Sequence, residues 1–534
     1  MGIGRIQICS VCRKLLLPSR RHVSINPLAT QRNIPPPTRD GAMFRAYPRL
    51  ETNPCACSLK RFRETWDTKL KNGDREDAKF ILRGRVKSVR VASSKLFFYT
   101  ITDGQHEVQI LFSMRQFLHN QTLFNLRRQT VHRGDTISVG GVPMRSDTGE
   151  LSLLATDLAT ILSPCTHTAP RELTETSKRF ANRHLDLRIN EKSREILRVR
   201  SLTTAYLRSY FHQHDFVEVE TPILAGAAGG ANAFPFETKA KALGKTLALR
   251  IAPELWLKRL IVGDMDRIFE IGKCFRNEGI DATHSPEFTT CEYYEAYANL
   301  DDLIQRTEEL LSGLVVYLCT HSNLVASATQ RTNLDFSTPF ARLDFHAVLE
   351  NELKQPLPDL ESPESMKAIE VIFNNHHLPH PTPATVPRFL ERLSNRFLES
   401  KCIQPTLIMN IPSCMSPLAK SSRVHGRHIS HRFELFVQGR ELINAYEEEN
   451  SPEEQRQKLL AQQHLRDDFG DYEACKIDES FVGALEWGMP PTAGWGIGID
   501  RLLMLLCGEE RIAEVTTFGA MTSVFGQGVD RGKN

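Results

Sequence analysis

The chain has 534 residues, 41% of them apolar and 25% charged, with a net charge of +3, the make-up of a globular protein with core enough for two to four domains. No apolar run approaches the roughly 18 residues that a membrane span needs, which argues against membrane insertion. The 12 cysteines form no disulfide framework: Cys9 and Cys12 make a lone CxxC, and Cys55 and Cys57 are too close for half of a usual zinc site, so free thiols in a reducing compartment are expected.

The charge is unevenly spread. Residues 1–39 hold Arg5, Arg13, Lys14, Arg20, Arg21, Arg32 and Arg39 and no acid, leaving 60 basic against 64 acidic groups in the remainder. A basic, acid-free terminus containing Ser and Leu has the pattern of a mitochondrial transit peptide, with a disordered basic tail as the alternative; Leu15–Leu17 is too short for the core of a secretory signal. Together with Pro35–Pro37 this assigns residues 1–60 to a transit peptide and disordered segment, and the mature protein to the mitochondrial matrix.

Residues 61–76 read as a short charged helix ending near Gly73. From Phe80 to about Thr166 five short alternating runs are separated by Gly, Asp and Ser, with a helical piece around Arg115–Arg128 between the third and fourth, the order of an OB-fold barrel. Of the adjacent Phe97 and Phe98, one must face the core and the other outward, where an aromatic can stack on a single-stranded base. The barrel domain is set at 61–168 and a second domain at 169–534.

Residues 170–217 are amphipathic and helical, and a strand Val217–Thr221 is stopped by Pro222. In the following glycine-rich loop Gly229 and Gly230 permit close backbone approach to a ligand, and Pro253 with Glu254 opens a helix whose first turn favours an acid. Asp266–Tyr297 then alternates apolar and polar residues on either side of a polar loop, which predicts an antiparallel hairpin. With Phe269, Ile271 and Phe275 in the core, Glu270, Arg276 and Glu278 share the opposite side, and Phe288, Thr290, Glu292 and Tyr294 share one face of the second strand.

A helix is predicted over 299–322, and a helical insertion without evident chemistry over about 340–405. A second hairpin turns at Gln438–Gly439; counting back from it, Glu434 faces Ile443 and lies diagonal to Glu441, so two carboxylates can share a hard cation such as Mg2+. Strict alternation would place Asn444, Tyr446 and Glu448 on the face opposite Glu441, so a bulge or strong twist is required for all to line one pocket. Finally Gly494, Gly496 and Gly498 leave one strand face bare, as for a ligand lying on the backbone, with Asp500 placed to cap the next helix and Arg501 to start it.

The segments FRNEG…HSPEFTTCEYY, GWGIGIDRLLMLL, GGANAFPF, RIAPELWLKRL, MSPLAK, RFELF and GRELINAY resemble the lysyl-tRNA synthetases, class II, subclass IIb, in the mitochondrial form. The resemblance implies an α+β protein with an N-terminal OB barrel for the anticodon and an antiparallel-sheet catalytic domain, working as a homodimer on ATP, L-lysine, Mg2+ and tRNA(Lys). It implies that Arg276 holds the ATP α-phosphate and the lysine carboxylate, Glu278 reads adenine, Phe288 and Arg501 sandwich it, and His284 lies near the terminal phosphates. By the same resemblance Arg276 and Arg501 are the catalytic residues, and Glu434 and Glu441 hold Mg2+, with Glu434 counted among the ATP contacts. Gly230, Glu254, Arg276, Glu292, Tyr294, Asn444, Tyr446 and Glu448 bind lysine, and Phe98, Gln109 and Glu150 contact the anticodon. A lysine pocket needs acids for two ammonium groups, and the glutamates supply them. The usual LND is Glu449-Asn450-Ser451 here, the C-terminal FPAM is Phe518-Gly519-Ala520-Met521, and Phe234 replaces a commonly basic residue. Two other readings compete: a paralogue that lysylates a protein, against which the barrel argues, and a degenerate synthetase serving as a tRNA-binding or regulatory protein, against which the intact Arg276, Glu278, Glu434, Glu441 and Arg501 argue.

Overall fold

The computed structural model describes residues 47–167, 170–226, 229–230 and 233–519. Residues 1–46 and 520–534, and with them Cys9, Cys12 and most of the expected leader, lie outside the described residues. The chain divides into two units, at Leu173 and Thr174. The ten described cysteines are free, and no described helix is long and apolar enough to cross a membrane.

In the first unit, strands Phe80–Ser93, Leu96–Thr102, Glu107–Ser113, Thr136–Arg145 and Leu151–Ala155 form the expected barrel. It closes where Phe80–Arg85 pairs with Thr136–Gly141. Helix Gln121–Thr130 lies between the third and fourth of these strands. Phe97 is fully buried and stacks on Phe112 with centroids 4.6 Å apart, in a filled aromatic core with Tyr99 and Phe124. Phe98 consequently faces out, under the Arg90 guanidinium at 4.4 Å. The preceding helix is shorter than expected, Leu59–Trp66. The Arg145 guanidinium binds the Asp67 carboxylate and the Leu70 carbonyl and draws the chain off the helical path.

The second unit is built on an eight-stranded sheet. Its strands run, in spatial order, Ala341–Asp344, Thr406–Met409, Arg432–Val437, Arg440–Glu447, Thr492–Gly498, Glu287–Ala296, Arg267–Phe275 and Val217–Glu218. The outer pairs are parallel and the interior is antiparallel. Helices Glu191–Gln213, Leu300–His321 and Ile499–Cys507 bury one face, meeting Phe269, Cys291, Tyr293, Ile443, Ala445, Trp495 and Ile497. The even-numbered side chains of the central strands therefore point away from those helices, as the hairpin alternation predicts.

The second hairpin turns at Gln438 and Gly439, both at positive φ (52° and 68°), the geometry of a two-residue turn that matches strand twist. The required bulge is present: Phe436 pairs with Glu441 and Leu435 with Ile443, leaving Leu442 as the extra residue. Leu442 and Ile443 both enter the helical core. Glu434 consequently faces Asn444 rather than Ile443, and Glu441 joins the face of Asn444 and Tyr446.

Two other expectations are corrected. Strand Ala341–Asp344 belongs to the catalytic sheet, so the inserted helices begin only at Phe345. Asp500 does not cap its helix, whose N-cap is Gly498. Its buried carboxylate accepts the Thr289 backbone N–H at 2.7 Å and pairs with Arg200 at 2.6 Å, because the pull of a fully charged donor outweighs a cap. Asp500→Ala should strand Arg200 and cost about 3–5 kcal/mol, read as a shift of the urea unfolding midpoint; a loss under about 1 kcal/mol would show the pair to be energetically idle.

Candidate active site

The register places functional side chains in transverse rows. One row runs Glu434, Asn444, Gly496, Glu292, Glu270 across five strands, and the next runs Arg432, Tyr446, Gly494, Tyr294, Ile268. Above them lies a cavity of about 450 Å3. The glycines make its floor. A Cβ on Gly494 would stand 1.9 Å from Glu448 Oε1 and 2.7 Å from the Tyr294 ring, so only glycine leaves that carboxylate its place. Gly230, at φ +90°, packs on the Cβ of Glu254 at the cavity wall.

One end of the cavity is acidic and buried. Glu254, Glu292 and Glu448 are 5%, 9% and 1% exposed, and Tyr294, Asn444 and Tyr446 line the same wall. Burial, reinforced by Glu254 and Glu270 and opposed by Arg276, lifts the Glu292 carboxyl to about 8. Burial also raises Glu448, against the opposing pull of Lys258. The Tyr446 hydroxyl donates to Glu254 Oε1 at 2.8 Å, and Tyr294 reaches Glu292 at 3.4 Å. Glu448 Oε1 is buried with no hydrogen-bond partner among the described residues.

The other end carries cations and aromatic surface. Arg276 lies with its guanidinium 5.0 Å from the Phe288 ring centroid, and its Nε has no hydrogen-bond partner among the described residues. Arg501, on the first turn of its helix, donates to the Glu441 carbonyl at 3.2 Å and meets His284 Nε2 at 3.1 Å. His284 is steadied through Nδ1 by Asp281 at 2.8 Å. Burial raises the Glu278 carboxyl. All of these but Asp281 line the same cavity.

Glu434 and Glu441 sit at its edge. Burial and the nearby Glu441 and Glu391 lift Glu434 to about 7, although Arg432 opposes them and holds its Oε1. Among the described residues no cluster of three or more His, Cys, Asp or Glu side chains is poised around a single point. Glu434 is held by Arg432 and Glu441 lies 3.5 Å from Arg501, and as two oxygen donors they fit a hard divalent ion that takes its remaining oxygens from phosphate and water.

The cavity thus gathers every side chain the sequence reading assigned to it. Glu270, at the right parity, is instead consumed by buried Arg250 and by Thr221 at 2.6 Å. Four lining or adjoining residues escaped that reading. Glu391 reaches the cavity from the inserted helix Val386–Phe397, and Glu399, lifted to about 7 by burial and by Glu434 and Glu441, follows it. Arg432 shares the parity of Glu434 and could have been found by it. Lys258, fully buried, lies one helical turn beyond Glu254, and that i, i+4 spacing was the available signal. The departures at 449–451 are structural: Ser451 caps helix Pro452–Phe469 through the Glu454 N–H, and Glu449 pairs with Lys458 at 2.7 Å.

On the barrel, Phe98 is neighbour to Leu111, while Thr100 pairs with Gln109 and Gln109 with Ser152. Phe98 and Gln109 therefore share the outward face, Gln109 donating to Ser152 Oγ at 3.1 Å. Glu150, exposed, precedes the strand at the same parity as Ser152.

Comparison with known proteins agrees with both units. Residues 175–522 match the family tRNA synthetases class II (D, K and N), and residues 80–161 match the OB-fold nucleic acid binding domain. The chain is 40% identical over 476 residues to lysine–tRNA ligase cla4 of Cladosporium cladosporioides, covering 87% of this chain and 79% of that protein. It is 40% identical over 487 residues to the mitochondrial lysine–tRNA ligase of Schizosaccharomyces pombe, covering 90% and 91%. A probable cytoplasmic lysine–tRNA ligase of Enterocytozoon bieneusi is 41% identical over 457 residues, covering 82% and 86%.

Proposed function

The chain belongs to the class II tRNA synthetases as a lysine–tRNA ligase, and from that premise we propose how its cavity divides the work. The acidic end takes lysine, whose two ammonium groups answer Glu254, Glu292 and Glu448, with Gly230, Tyr294, Asn444 and Tyr446 shaping the wall. Arg276 meets the lysine carboxylate and the α-phosphate of ATP; Glu278, Phe288 and Arg501 receive the adenine, and His284 lies by the terminal phosphates. The observation that carries this reading is the continuous sheet row in which buried Glu292 and half-buried Glu434 flank Asn444 and Gly496.

The lysine carboxylate attacks the α-phosphorus, pyrophosphate leaves, and the terminal ribose hydroxyl of the tRNA then attacks the adenylate carbonyl. Arg276 and Arg501 act by holding reactants in line and by stabilising charge that develops on the phosphoryl oxygens. Glu434 and Glu441 would hold Mg2+, which when bound neutralises phosphate charge. In the barrel unit, the outward Phe98 with Gln109 and Glu150 serves as the anticodon surface for tRNA(Lys), since an exposed ring beside hydrogen-bonding groups suits unstacked bases.

Lysine should drive exchange of pyrophosphate into ATP, where aspartate and asparagine do not. The Glu292 carboxyl, lifted to about 8 by burial, is mostly protonated at neutral pH, and an ammonium ligand requires its anion. The KM for lysine should therefore fall by up to about tenfold per pH unit below that value and level off above it. Glu292→Gln should raise and flatten the profile; a flat profile in the unaltered enzyme would refute the assignment of Glu292.

The acid-free leader supports a mitochondrial site of action, and one relative is named mitochondrial while another is named cytoplasmic. A fluorescent fusion of residues 1–60 should enter mitochondria, and a diffuse cytosolic signal would overturn the assignment. A homodimer is supported by the edge strand Val217–Glu218 and the exposed Val217, Ile223 and Leu224 beside it, apolar surface at an open sheet edge. Sedimentation should give a dimer mass that Leu224→Glu reduces to the monomer's.

A further inference from the structure

Lys258 stands at the centre of the acidic end without touching the open cavity. It lies on helix Glu254–Val262 and is 0% exposed. Its Nζ is 2.7 Å from Glu254 Oε1 and forms a second ion pair with Glu448 Oε2. The rings of Tyr446 and Phe481 close around the ammonium, with centroids 5.7 and 5.8 Å away. Glu292, by contrast, has no ion-pair partner among the described residues, and Glu448 Oε1 is unpartnered.

With all three acids ionised, as an ammonium ligand requires, three carboxylates and one resident ammonium leave two negative charges to be answered from outside. Lysine brings two ammonium groups, and its carboxylate goes to Arg276, so the filled pocket is neutral. Without Lys258 a third carboxylate would go unanswered. Glu254 and Glu448, side by side in a dry site, could not then both stay ionised, because adjacent buried carboxylates force one to hold a proton. A buried ion pair is in any case a poor source of stability, since desolvation offsets most of the attraction. What this one alters is the charge and placement of the two acids it holds.

We propose that Lys258 is a specificity-determining positioning residue, an internal counter-ion that cancels one of three carboxylates and fixes Glu254 and Glu448 so that the pocket accepts an amino acid bearing two ammonium groups. This rests on the reading of Glu254, Glu292 and Glu448 as the lysine pocket. Lys258 acts through those acids and makes no contact with substrate.

The test is a double-mutant cycle read by lysine-dependent pyrophosphate exchange. Lys258→Met should raise the lysine KM about tenfold or more while the ATP KM stays within about twofold. Glu254→Gln alone leaves Lys258 and Glu448 as a neutral pair beside an uncharged amide and should be at least as damaging. The double variant restores a single negative charge and should recover about fivefold or more over Glu254→Gln. A purely structural lysine predicts no such recovery, so a double variant as poor as the product of the singles overturns the proposal, as does an unchanged KM in Lys258→Met. Should Lys258→Met fail to fold, the double variant removes one charge of each sign, and its comparison with Glu254→Gln decides by the same criterion. Glu292→Gln separates the two levels: if it leaves the lysine KM unchanged the pocket reading falls, and if it raises KM while the cycle is additive only the role of Lys258 falls.

Discussion

The catalytic unit depends on how its buried carboxylates are matched with cations or protons. Taking an anion out of water costs several kcal/mol even after relaxation, and here Glu254, Glu292, Glu434 and Glu448 crowd around one sheet face. Each must find a cation or take up a proton. Lys258 answers Glu254 and Glu448 and Arg432 answers Glu434, yet burial still raises Glu448 and Glu434, and Glu292, with no such partner among the described residues, is lifted to about 8. The cavity is thus held in a state that a cationic ligand relieves, and binding energy is drawn from charge already desolvated by folding.

A sheet serves this purpose because its pleat separates the two solvents. Odd-numbered residues on the central strands enter the helix-covered core, and even-numbered ones reach the cavity. Parity alone would have divided Glu441 from Asn444, Tyr446 and Glu448. The extra residue Leu442 repairs this, since it and Ile443 both turn to the core and the count resets. The bare strand between the two hairpins completes the device: Gly494 and Gly496 leave room for Glu448 and Glu292 to lie across the backbone.

Much of this was legible in the residues. Alternation around the Asp266–Tyr297 loop gave the correct face for Arg276, Phe288 and Glu292, because a period of two is rigidly tied to geometry. The need for a bulge could be argued from Glu441 against Asn444, but not its position, which depends on the helices accepting Leu442 and Ile443 together. Asp500 was misread because an acid at a helix start has two competing partners, and a guanidinium from Arg200, 300 residues away in sequence, wins. The helix 61–76 failed similarly, cut short by Arg145. Lys258 escaped because a basic residue in a helix reads as solvated surface unless the acids around it are already placed.

The same residue type does two jobs along one row, and the surroundings divide them. Glu434 lies at the cavity edge beside Glu441 and within the field of Glu391 and Glu399, four acids met by Arg432 on Glu434, Arg501 on Glu441 and Arg388 on Glu391. On the proposed reading the Glu434 and Glu441 carboxylates would share a small divalent ion with phosphate oxygens. Glu292 and Glu448 are more deeply buried, beside Tyr294, Tyr446 and the glycine floor. On that reading, depth across a single sheet face separates a metal position from an ammonium position without changing the ligand atoms. Arg276, beside Phe288 and facing Glu292 electrostatically, stands where the proposal brings the lysine carboxylate and the phosphate together.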